Sequence, residues 1–86
     1  PANYAFITSL VIRSNKVIVG LYSIKHGREV KGFISKKSFK LNSISEGDLI
    51  TVERTSMRPK NILKDGHWQK SKTDKELWID SLVRKG

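Results

Sequence analysis

Basic and aromatic side chains are interleaved in one polar stretch of this chain, residues 60–72. Trp68 lies in it between Lys64 and Lys70. Spaced cations can meet phosphates and an aromatic face can stack on a base, and a surface that binds single-stranded nucleic acid needs both. A tryptophan in so polar a stretch has little apolar cover, so we expect Trp68 to be exposed and to be the main stacking residue. The alternative is that it folds back over an open end of the fold, since large aromatic residues are usually mostly buried.

Two further aromatic residues are candidates for the outer face of a sheet. Tyr22 and Phe33 fall in neighbouring strand-like runs. In the second run a two-residue alternation places Phe33 on the same face as Lys31, away from Val30 and Ile34. A slip of one residue in register would bury Phe33 instead.

The full set of predicted nucleic-acid contacts joins these aromatic residues to nearby basic ones. Trp78, between Leu77 and Ile79, is not part of it and is interpreted as a core residue. The set consists of Tyr22, Lys31, Phe33, Lys36, Lys37, Arg54, Arg58, Lys60, Lys64, Trp68, Lys70 and Lys72.

The charge of the chain is segregated as well as large. Its 86 residues carry a formal charge of +9. Residues 25–40 hold six basic side chains against one acidic, and residues 54–75 hold seven against two, whereas every charged residue in 41–53 is acidic. Two positive blocks of this kind are typical of an electrostatic footprint for nucleic acid, although a solvated charged surface without a ligand would have the same composition.

Catalytic and metal chemistry are poorly represented. There is no cysteine, and the two histidines, His26 and His67, each adjoin a glycine in a predicted loop. Neither histidine belongs to a pattern for a nucleophile, a general base or a zinc site. We therefore expect a protein that is not an enzyme and uses no metal or cofactor.

Strand-forming residues dominate the rest of the chain. Runs rich in β-branched and aromatic residues predict strands, and glycine, serine and asparagine mark the turns between them. Gly20 interrupts the second run, as a glycine at a bulge or sharp bend does. The segment after residue 73 is ambiguous, because Thr73 and Glu76 fit a helical capping box whereas the following apolar residues suit a strand, which we favour. The predicted strands are residues 4–13, 16–25, 29–35, 49–55 and 77–83, with a short helix or ordered loop in 36–45.

The order of these elements predicts an all-β fold with a single domain, residues 1–86. Three strands, a helical link and two more strands are the order of a small five-stranded OB-like barrel, whose second and third strands and neighbouring loops hold oligonucleotides. An SH3-like barrel with a C-terminal helix is the alternative. Because Pro1 is a residue before which an initiator methionine is removed, we expect a complete chain.

The C-terminal hairpin resembles that of bacterial single-stranded-DNA-binding proteins and their primosomal relatives. The residues that carry the resemblance are GDLITVE at 47–53, Asp65-Gly66 in a basic arm, and LWIDSLV at 77–83. The resemblance implies an OB barrel that binds single strands.

We therefore expect non-catalytic binding of single-stranded DNA or RNA by stacking and phosphate contacts. The alternative is a protein-interaction module or accessory factor that engages an acidic partner in replication or transcription machinery. A homodimer through a strand edge is compatible with both. With no apolar run near the roughly 20 residues that cross a bilayer, we expect a cytoplasmic protein without membrane contact.

Overall fold

Extended segments make up most of the chain in the computed structural model, which describes residues 3–86. The structure thus describes the expected domain of residues 1–86 apart from Pro1 and Ala2. The prediction that the chain is complete from Pro1 falls on these two residues and lies outside the described part. No helix in the described part is long and apolar enough to cross a membrane. The elements are β1 (Asn3–Ile12), β2 (Val17–Ser23), β3 (Arg28–Ile34), α1 (Lys36–Asn42), β4 (Leu49–Lys64) and β5 (His67–Arg84).

The five strands close into a barrel in the order β1-β2-β3-β5-β4. β1 pairs with both β2 and β4 in antiparallel fashion. β3 and β5 run parallel and meet at one bridge, Phe33 to Trp78. This order, with a helix between the third and fourth strands, is that of an OB-like barrel, so the predicted fold class is confirmed.

The C-terminal segment is a strand, and the SH3-like alternative with a C-terminal helix is wrong. β5 continues to Arg84 and pairs along β4. The capping-box residues do not start a helix. Instead Ser71 Oγ accepts hydrogen bonds from the backbone N–H groups of Thr73, at 3.2 Å, and Asp74, at 2.9 Å, which forms a turn within the strand.

Alternating apolar residues fill the barrel. Helix α1 begins after Ser35, whose Oγ accepts a hydrogen bond from the backbone N–H of Ser38 at 3.1 Å, and Phe39 packs against the core. Because every second strand residue points inward, the others face outward and are free for contacts. The buried apolar residues are Ala5, Ile7, Val17, Val19, Leu21, Ile34, Ile44, Ile50, Ile79 and Leu82.

Gly20 lies opposite a bulge, as its position in the middle of a strand predicts. The register between β1 and β2 shifts between Ile7 and Ser9. A Cβ atom on Gly20 would collide with the hydroxyl groups of Thr8 and Ser9. Glycine therefore lets these side chains cross β2, where Thr8 Oγ1 donates a hydrogen bond to Glu29 Oε1 at 3.1 Å.

The basic stretch is a β-ribbon rather than a loop. Strand β4 has 16 residues and β5 has 18, so both extend well beyond the predicted runs. Asp65 and Gly66 both have positive φ, 52° and 77°, which suits a two-residue hairpin turn whose twist matches the strands. Residues 59–75 form this projecting ribbon, called the arm below. Within it the pairing jumps from Pro59–Lys75 to Asn61–Lys70, which leaves residues 71–74 as a bulge.

Candidate nucleic-acid interface

A pair of aromatic rings marks the outer surface where β3 meets β5. Because Gly32, Ile34 and Ile79 point inward, Phe33 and Trp78 face outward. Their ring centroids are 5.7 Å apart and the planes are inclined by 29°, a stacked arrangement. Phe33 thus lies on the outer face, as predicted, whereas the interpretation of Trp78 as a core residue is wrong.

A cation lies over each of these two rings. The Nζ atom of Lys16 is 4.1 Å from the ring centroid of Phe33, and the Cζ atom of Arg58 is 4.3 Å from that of Trp78. Both distances are in the range of cation–π attraction. Lys16, Phe33, Trp78 and Arg58 form a continuous row, called the aromatic row below.

Two carboxylates hold the aromatic row in place. Asp80 Oδ1 accepts a hydrogen bond of 2.6 Å from Arg58. Glu76 Oε2 accepts a hydrogen bond of 2.7 Å from Trp78 Nε1 and lies 3.5 Å from Lys16 Nζ. Each cation is therefore tied both to a ring and to an acidic side chain.

The charge of Asp80 is stabilised by its neighbours. A hydrogen bond from the Ser56 hydroxyl, followed by the guanidinium of Arg58 and the charge of Arg54, holds the pKa of Asp80 below its ordinary value of 3.8. Asp80 is therefore ionised at neutral pH, and Arg58 remains paired with it.

A groove of about 910 Å³ separates part of the aromatic row from the arm. Its lining comes from Lys16 and the preceding turn, from Phe33 and Glu76, and from residues of the arm. Trp68 belongs to the arm side and is 73% exposed, which confirms its predicted exposure. The groove lining thus combines two aromatic side chains with three lysines, a combination that suits planar rings joined by anionic groups.

Four of the residues predicted from sequence come together in this groove: Phe33, Lys60, Trp68 and Lys70. Arg58 lies beside them in the aromatic row, although it does not line the groove. These five residues come from β3 and from both strands of the arm hairpin. The structure therefore brings part of the third predicted strand together with the basic stretch.

Tyr22 and Lys31 lie apart from the groove lining. Tyr22 is exposed on β2, where it pairs with Phe6 of β1 and Glu29 of β3. Phe33 pairs instead with Ile18, four residues away along β2, so the two predicted aromatic residues do not form one platform. Lys31 is exposed two residues before Phe33 on the same face of β3.

The remaining predicted residues do not line the groove. Lys36 and Lys37 begin α1. Arg54 is exposed on β4 near Asp80, and Lys72 lies in the bulge of the arm. Lys64 pairs with His67 next to the turn of the arm. The following pair is Leu63 with Trp68, so the side chains of Lys64 and Trp68 lie on opposite faces of the ribbon.

Seven residues of the groove and the aromatic row were missed by sequence reasoning: Ser14, Asn15, Lys16, Asn61, Gln69, Glu76 and Trp78. Trp78 could have been found, because strict alternation places its side chain on the other face of the strand from those of Leu77 and Ile79. Lys16 had a weaker signal, its place next to the first turn of the expected barrel. Glu76 had none, since its partner Lys16 is 60 positions away in the sequence.

Comparison with protein-family models, with curated proteins and with solved structures gave no significant match. Among residues 3–86, no group of three histidine, aspartate or glutamate side chains is arranged to hold a metal ion. The candidate site therefore rests on its own geometry.

Proposed function

We propose that this protein binds single-stranded nucleic acid in the groove between the aromatic row and the arm. Bases stack on Trp68 and Phe33, and the lysines that line the same groove, Lys16, Lys60 and Lys70, meet the phosphates. The observation that carries the proposal is the groove itself, whose lining joins an exposed tryptophan and a second ring to lysines from three separate parts of the chain.

The groove suits a single strand better than a duplex. Its two aromatic surfaces can stack only on bases whose faces are free, and each stacked base is worth about 1–3 kcal/mol. A duplex keeps its bases stacked on one another and would meet only the lysines. Single strands are therefore the ligands that can both stack on the aromatic rings of the groove and contact its lysines through their phosphates.

The two covered rings differ in how easily a base can reach them. Arg58 is held over Trp78 by a hydrogen bond of 2.6 Å to Asp80, whereas Lys16 is held over Phe33 by a looser contact of 3.5 Å to Glu76. A phosphate can draw the flexible Lys16 side chain away from Phe33. Phe33 is therefore the ring of the aromatic row that opens to a base, and Trp78 supports it from the side.

Titration of tryptophan fluorescence tests the proposal. Single-stranded DNA, single-stranded RNA and a duplex of equal length are added at two salt concentrations. Stacking on Trp68 predicts quenching by the single strands that weakens at high salt, with a smaller response to the duplex. Absence of quenching by every nucleic acid, or an equal response to the duplex, contradicts the proposal.

A second candidate function, docking of an acidic protein partner, is favoured by a separate cavity. An open pocket of about 300 Å³ lies where β2 ends and β3 begins, with the apolar residues Leu21, Val30 and Leu77 among its lining and Lys25 and His26 beside them. A partner peptide with an apolar side chain next to aspartates would match both the apolar lining of this pocket and the basic residues beside it. A fluorescent peptide of that kind should bind the wild-type protein, and it should bind the Val30→Glu variant at least about tenfold more weakly. An oligonucleotide should not displace it. Equal binding to the wild-type protein and the variant excludes this function.

A further inference from the structure

Glu76 is an unexpected residue in a groove suited to phosphates. Among the described residues that line the groove it has the only acidic side chain, and that side chain is only 10% exposed. A carboxylate repels a phosphate backbone, so beyond holding Trp78 and Lys16 in place it is expected to offset this repulsion by a favourable contact with the ligand. Its position beside Phe33, the ring that can open, suggests a role toward bases.

The two oxygens of Glu76 are used differently. Oε2 accepts the hydrogen bond from Trp78 Nε1 and faces Lys16. Oε1 forms no hydrogen bond within residues 3–86. Since no buried side-chain nitrogen or oxygen in that part of the chain lacks a partner, Oε1 is open to solvent. One oxygen therefore fixes the carboxylate, and the other remains a free acceptor.

We propose that Glu76 makes the groove selective for guanine. This inference rests on the proposed binding of single strands. An ionised carboxylate only accepts hydrogen bonds, so it favours the base that offers most donors. Guanine presents N1–H and the N2 amino group side by side, whereas thymine and uracil present one N–H between two carbonyl oxygens that a carboxylate repels.

Lys16 complements this selection. Its ammonium group lies 3.5 Å from Glu76 Oε2, so a donor and an acceptor stand next to each other beside Phe33. Guanine carries the matching pair, the O6 acceptor next to the N1–H donor. When Lys16 moves toward O6 or a phosphate, it leaves Glu76. The N–H groups of the guanine base then donate hydrogen bonds to Glu76 in its place and stabilise the charge of the carboxylate.

Eight-nucleotide DNA oligomers in which thymidine alternates with deoxyguanosine, deoxyinosine or deoxyadenosine test the proposal, with oligothymidine as reference. Inosine lacks only the N2 amino group of guanosine, and adenine controls for stacking of a purine. Fluorescence anisotropy gives the affinities for the wild-type protein, for Glu76→Gln and for Glu46→Gln. Glu46 is exposed and does not line the groove, so its variant removes the same charge elsewhere.

The wild-type protein should bind the guanosine oligomer about fivefold to tenfold more tightly than the adenosine oligomer, with inosine between them. In Glu76→Gln the affinities for the three purine-containing oligomers should converge, while Glu46→Gln keeps the wild-type order. If the wild-type protein binds all four oligomers equally, or Glu76→Gln keeps the preference, selection by Glu76 is wrong and single-strand binding stands. If no oligomer binds, the proposed function fails as well.

Discussion

Phe33 and Trp78 form the bridge that joins β3 to β5, and their rings stack on the outer surface of that same bridge. Closure of the barrel and formation of the candidate binding surface therefore depend on one contact. Changes at this contact should affect binding and stability by separable amounts.

Replacing Phe33 by leucine should weaken single-strand binding by about 1–3 kcal/mol, because leucine fills space but offers no aromatic face. The loss of the ring pair should lower the free energy of unfolding by only about 0.5–1.5 kcal/mol. Anisotropy titration and denaturant unfolding of the same variant separate the two effects. Binding that is unchanged would mean that bases do not reach Phe33.

The logarithm of the binding constant should fall against the logarithm of the salt concentration with a slope between about −2 and −3.5, as expected for three to five phosphates on a single strand. Lys60→Gln and Lys70→Gln should each reduce the slope by about 0.7. Lys37→Gln, on the helix and not lining the groove, is the matched control and should leave the slope unchanged. A slope near zero, or an equal change in all three variants, argues against phosphate contacts in the groove.

Asp80 should contribute stability that depends on pH. Because its pKa in the folded protein is lowered from 3.8, this contribution is fully present above pH 3.8 and is lost as the pH falls through the lower, folded value. Asp80→Asn should therefore be less stable than the wild-type protein at pH 7, by about 1 kcal/mol or less for so exposed a pair. Thermal unfolding at pH 7 and below pH 3 tests this, since the difference should shrink in acid; a constant difference contradicts it.

Gly20→Val should destabilise the barrel by about 1–3 kcal/mol, because the new side chain overlaps the hydroxyl groups of Thr8 and Ser9. Gly86→Val, at a position where an added Cβ meets nothing within 4 Å, is the control and should leave stability unchanged. Urea unfolding measures both variants. Equal stability of the two would show that the bulge in β1 does not depend on glycine.

The sequence predicts the strand order and one face of the site well. In β3 the alternation of apolar and polar residues is regular, so Phe33 was assigned to the outer face correctly. Trp78 was not, because its size and its apolar neighbours favour burial and outweighed the alternation that places it on the outer face, where it bridges to Phe33.

The arm and the ion pairs were harder to predict for a different reason. The arm pairs through its backbone and contains few buried side chains, so no apolar alternation marks it as a strand, although Asp65-Gly66 does mark its turn. The contact of Lys16 with Glu76 exists only because the barrel brings the first turn next to β5. Such a contact leaves no local pattern in the sequence.

The most direct test of single-strand binding in the groove compares Trp68→Ala with Tyr22→Ala. Both side chains are exposed, 73% and 43%, but only Trp68 lines the groove. Affinity for an oligothymidine strand, measured by anisotropy, should fall by about 1–3 kcal/mol in Trp68→Ala, with unchanged thermal stability, and should stay at the wild-type value in Tyr22→Ala. Wild-type affinity in Trp68→Ala, or an equal loss in Tyr22→Ala, would contradict binding in this groove.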